Sequence, residues 1–136
     1  MRNWVRRKAQ ARLLRFIRTR YALVKPEATL GLFNFRCFEN AVEYSRRYPE
    51  LEIVEAIYVD EGEPCLHYLN FDPAANKYLE TTLGWRAPHL EYYVIRKLHQ
   101  DDYKYVHHEF ERALASWTEQ FLPWPLRILF NLKRIL

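Results

Sequence analysis

Cys37, His67 and Glu80 are the three side chains in this 136-residue sequence whose chemistry and order suit acyl transfer. Cys37 stands where a helix is predicted to begin, directly after Arg36. The positive end of the helix dipole and the guanidinium both favour thiolate over thiol, and the thiolate is the nucleophile. His67 falls on a predicted strand, where an imidazole can take the thiol proton and return it to a leaving group. Glu80 falls on the next strand. If residues 72–77 form the turn between the two, 67–69 run beside 80–82, and a carboxylate there can orient the ring. Asn34 and the backbone N–H of Cys37 are the candidate donors to a developing oxyanion. The ordinary alternative stays open: a helix cysteine is usually a small buried hydrophobe, and a lone strand histidine a structural residue.

The remaining reactive side chains point to less. Cys65 precedes His67 by two residues and so faces the same side of a strand. It is read first as packed, then as a second thiol or as the partner of Cys37 in a disulfide. A zinc site from Cys37, Cys65 and His67 lacks any paired ligand spacing, so no metal or cofactor is expected. His107 and Glu111 form an i, i+4 pair on a solvated helix face. Asp101 or Asp102 is read as a helix cap. Three glycines leave no phosphate-cradling loop.

The order of these residues resembles the transglutaminase-like (papain-like) superfamily. The residues that carry the likeness are Arg36-Cys37-Phe-Glu-Asn-Ala41, then His67-Tyr-Leu-Asn70, then Tyr78-Leu-Glu80-Thr-Thr82, across roughly residues 30–85. The resemblance implies Cys37 as nucleophile, His67 as general base and acid, and Glu80 as the orienting carboxylate. It implies a peptidase, amidase or acyltransferase acting on a protein or peptide. It also implies, as in some lineages of the superfamily, a catalytically silent domain that binds a protein partner. Glu80 departs from the family's usual Asp, and Leu69 stands where an aromatic is common.

These side chains need a scaffold, and the hydrophobic pattern predicts one. Residues 3–24 read as a basic helix with Leu13, Leu14, Ile17, Tyr21 and Val24 on one side, stopped by Pro26. A second helix runs from Cys37 to about Tyr48. The period then changes from helical to alternating, giving strands at 51–60, 65–71 and 78–82 and a further one at 91–98. Residues 61–64 and 72–77 are turns. A long helix from Tyr103 to about Phe121 and a short basic helix over 126–136 complete the chain. The fold class is α+β: a Cys-bearing helix packed on an antiparallel β-meander of three to four strands, flanked by N- and C-terminal helices. All 136 residues form one domain, with a basic helix at 1–24, a core at 30–100 and C-terminal helices at 101–136.

The net charge of +4 is unevenly spread. Residues 1–20 carry Arg2, Arg6, Arg7, Lys8, Arg12, Arg15, Arg18 and Arg20 and no acid. Residues 122–136 carry Arg127, Lys133 and Arg134, again without an acid, which leaves the stretch between them seven charges negative. A basic end can meet nucleic acid or an anionic membrane, here through Arg2, Arg6, Arg7, Lys8, Arg12 and Arg15. It can equally lie on the chain's own acidic body. The arginines interrupt any signal-peptide core before Val24, and no apolar run is long enough to span a bilayer. With two cysteines and no export signal, a cytoplasmic, reducing location is expected.

Overall fold

The computed structural model describes residues 2–29, 32, 34, 36–99, 112, 116 and 119–126. In chain order its elements are helix α1 (Arg2–Arg20), strands β1 (Ala22–Val24) and β2 (Glu27–Ala28), helix α2 (Cys37–Arg47), and strands β3 (Glu52–Asp60), β4 (Glu63–Asp72) and β5 (Lys77–Glu80). A 3₁₀ segment (Gly84–His89) and strand β6 (Glu91–Lys97) follow. The chain is α+β.

The six strands form one sheet in the order β1-β6-β3-β4-β5-β2. The long β3–β4 hairpin is its centre, and its register is set by a two-residue loop. Glu61 and Gly62 both take positive φ, 48° and 83°. That is the primed turn whose twist matches the strands on either side. Pro64 lies inside β4, opposite Val59, rather than in the turn. At the other end of β4, Asp72 Oδ1 accepts hydrogen bonds from the backbone N–H groups of Ala74 and Ala75 at 3.0 and 3.1 Å, closing the turn to β5.

Alternation along the strands gives the sheet two apolar faces. Ile53, Ile57 and Tyr68 pack with Leu13, Leu14 and Ile17 of α1 and Ala41 of α2. Val54, Ala56, Leu69 and Tyr92 pack on the opposite side with Ala87 of the 3₁₀ segment. α2 is also pinned by a polar contact: Asn70 Nδ2 donates to the Ala41 carbonyl at 2.9 Å and lies 2.8 Å from Ser45 Oγ.

The sheet departs from the expected meander in three ways. The predicted helix over 3–24 ends at Arg20, and Ala22–Val24 pair antiparallel with Tyr92–Val94 of β6. Val24 therefore serves the strand and not the helical stripe, because the ladder to β6 outweighs local periodicity. Glu27 and Ala28 add a two-residue parallel strand beside β5. β6 returns to lie against β3, so six strands replace the three or four expected. Most of the predicted helices over 103–121 and 126–136, with His107, Glu111, Asp101 and Asp102, lie outside the described residues. Arg112, Ser116, Glu119 and Gln120 are helical. Among the described residues no helix is long and apolar enough to cross a membrane.

Candidate active site

The site begins with how β5 ends. Its ladder with β4 covers only Asn70↔Leu79 to Asp72↔Lys77, and the chain turns after Glu80. The turn is held by the Glu80 side chain itself. Its Oε1 accepts hydrogen bonds from the backbone N–H groups of Thr82 at 2.7 Å and Leu83 at 3.1 Å. Its Oε2 lies 2.7 Å from Nε2 of His67 and accepts the Tyr92 hydroxyl at 2.9 Å. Both carboxylate oxygens are thus occupied and fixed, in a residue that is fully buried.

His67 is only 2% exposed. Its ring stands edge-on to Tyr58, with centroids 5.3 Å apart, and lies beside Tyr92 at 5.9 Å. Its position on β4 is opposite Ala56 of β3, whose small side chain leaves room for the ring. On the other side of β4 the ladder to β5 has already ended, and the N-terminus of α2 brings Cys37 near enough to raise the pKa of the ring. Glu80 occupies Nε2 of the ring. Burial pushes the His67 pKa down, but the bonds from Cys37 and Glu80 and the Glu80 charge outweigh it and raise it from 6.5 to about 9. Burial likewise pushes Glu80 up, while the bond to His67, its charge and the Thr82 and Leu83 N–H groups hold the carboxyl below its usual range. Both directions describe one buried ion pair, which persists because every lone pair facing the protein is satisfied.

Cys37 is the first residue of α2 and is half-buried. At that position its backbone N–H has no carbonyl ahead of it in the helix. Asn34 is exposed, and its side chain is tied to the start of α2: Oδ1 accepts from the Arg36 N–H at 3.1 Å and from Asn40 Nδ2 at 2.9 Å. Asn34 Nδ2 returns a longer bond to Asn40 Oδ1 at 3.3 Å. Asn40 Nδ2 also donates to Thr82 Oγ1 at 3.0 Å, tying the first turn of α2 to the segment that follows Glu80. The four residues singled out by their chemistry, Cys37, His67, Glu80 and Asn34, therefore share one neighbourhood.

Cys65 is a half-buried free thiol that interacts with Tyr58, and burial raises its pKa. It borders a cavity of about 630 Å³ between α1 and the β3–β4 hairpin, shared with Arg7, Gln10, Leu14, Asp60 and Glu63. None of Cys37, His67 and Glu80 lines that cavity.

Three supporting residues escape a reading of the sequence. Tyr92, Asn40 and Thr82 each bond across the fold. Two of them carry a signal: Asn40 lies three positions after Cys37 and so next to it on a helix, and Thr82 closes the Tyr78–Thr82 stretch that carries the resemblance. Comparisons with protein families, with curated proteins and with solved structures find no match to this chain.

Proposed function

We propose that this chain is a thiol-dependent hydrolase or acyltransferase acting on an amide or ester of a protein or peptide, of the transglutaminase-like kind. The observation that supports it most is a buried imidazole held by Glu80 Oε2 at 2.7 Å on Nε2, with Cys37 as well as Glu80 raising its pKa. A ring that holds its proton to about pH 9 is an imidazolium at neutral pH, and in this reading Cys37 attacks as the thiolate.

In this reading Cys37 Sγ attacks the substrate carbonyl carbon, forming a C–S bond while the carbonyl π electrons move to oxygen. The Cys37 backbone N–H, with Asn34 as a second donor, stabilises that oxyanion. When the carbonyl reforms, the C–N or C–O bond breaks and His67 gives its proton to the leaving amine or alcohol. Water or an amine then attacks the thioester, His67 takes the attacker's proton, and Cys37 leaves. Glu80 keeps the ring oriented and balances its charge throughout.

The test is alkylation with iodoacetamide near neutral pH, followed by peptide mass mapping. Cys37 should react well ahead of Cys65, and His67→Ala should remove that advantage. Equally slow labelling of the two thiols would reject the enzymatic reading in favour of a silent domain.

A further inference from the structure

The outward side of α1 has no role in the proposed chemistry, and its composition is specific. Ala9, Leu13, Leu14 and Ile17 are buried in the domain core. Arg6, Arg7, Lys8, Arg12, Arg15 and Arg20 are exposed, and the helix carries no acid at all. Arg18 is taken by Glu91 at 2.9 Å, and Arg7 borders the cavity walled by Asp60 and Glu63. Among the described residues, Lys8, Arg12 and Arg15 enter no ion pair. The Lys8 ammonium is instead held 4.0 Å from the centroid of the exposed Trp4 ring.

We infer that this face of α1 binds duplex nucleic acid through its phosphates, with little sequence preference. Two observations choose that polyanion over an anionic membrane. The first is that the apolar stripe is already used inside the domain, whereas a helix lying in a membrane needs such a stripe to enter the acyl boundary. The second is the placement of charge. At about 100° per residue Lys8, Arg12 and Arg15 fall together within about 60° on the side opposite buried Ala9, Leu13, Leu14 and Ile17, whereas Arg6, Arg7 and Arg20 lie on the side of that stripe. The major groove, about 12 Å wide, accepts the outward side of a helix about 10–12 Å across while its other side stays packed on the domain. Lys8 to Arg15 covers about 10 Å of axis, which faces about six phosphate charges of a duplex. These three outward cations are enough for weak, salt-sensitive binding. The stretch 21–121, seven charges negative, would not compete for the polyanion.

The experiment is fluorescence anisotropy of a labelled random-sequence DNA duplex of about 20 base pairs with the full chain. If three phosphates are neutralised, raising monovalent salt from about 50 to about 200 mM weakens binding about 40-fold. Lys8→Gln/Arg12→Gln/Arg15→Gln should abolish that dependence, and Arg12→Gln or Arg15→Gln alone should each lower the log–log slope by about 0.9. The equally charged control Arg46→Gln/Arg47→Gln/Lys77→Gln, on other exposed surfaces, should bind as wild type. No duplex binding at about 50 mM salt, or equal loss in the control, overturns the inference. So does binding to phosphatidylcholine vesicles containing phosphatidylserine without binding to the duplex. Cys37 alkylation is read separately, so either proposal can fail alone.

Discussion

Glu80→Gln is the most informative change to the triad, because it keeps the size of the side chain and removes only its charge. In the wild type the His67 pKa rises from 6.5 to about 9, which corresponds to about 3 kcal/mol in favour of the protonated ring. Burial opposes that rise, and Cys37 and Glu80 drive it. Without the carboxylate, burial is opposed by Cys37 alone, and the ring should titrate near or below its ordinary value. The amide oxygen introduced by the substitution can still accept from the Thr82 and Leu83 N–H groups, so the turn after β5 should survive. The pair should nevertheless lose about 3 kcal/mol, toward the lower end for breaking a buried ion pair.

The linkage has a definite sign. A raised histidine pKa stabilises the fold fully below about 6.5 and loses that contribution as pH climbs through about 9. The lowered Glu80 pKa acts in the opposite range: its contribution is present above the ordinary value of 4.5 and is lost as pH falls through the folded value. Wild-type stability from this pair should therefore be greatest at about pH 5–6 and fall by up to about 3 kcal/mol toward pH 9. Glu80→Gln should lack the decline on the alkaline side. The assays are urea unfolding at several pH values and an NMR titration of the His67 ring, assigned with His67→Gln. A ring in Glu80→Gln that still titrates within about half a pH unit of wild type would show that Glu80 does not hold its charge.

Two further changes probe the supports. Tyr92→Phe deletes the hydroxyl that donates to Glu80 at 2.9 Å; a bond to a buried charge predicts a loss of about 2 kcal/mol in urea unfolding, and no measurable loss would refute the contact. Asn70→Ala removes the ties from β4 to Ala41 and Ser45. It should cost about 2 kcal/mol and speed amide exchange in α2 more than in β3, whereas uniform exchange across both elements would mean that α2 is held by packing alone.

Much of the site's framework was legible because it rests on local signals. The change from helical to alternating period marked β3, and Cys37 was placed as the first residue of its helix. The turn over 72–77 gave the register of β4 with β5 correctly, since Asn70↔Leu79 and Phe71↔Tyr78 lie on the same ladder as the expected neighbours of residues 67–69. The ladder stops one residue short of Glu80, however. The carboxylate reaches His67 diagonally, within the range of long side chains on one face.

Residue order alone settled the kinds of group available and the short-range arrangement that brings His67 and Glu80 to adjacent strands. It also settled the separation of a wholly basic helix from an acidic body, since both follow from residues close together in the chain. Long-range packing set whatever depends on distant partners. Val24 falls on the helical stripe in sequence, but β6 takes Ala22–Val24 into a ladder. Tyr92 becomes a partner of Glu80 only because β6 returns beside β3. Cys37 influences the imidazole only once α2 has packed against β4. Such contacts join residues tens of positions apart, and their energy comes from burial and hydrogen bonds that exist only after the sheet has closed.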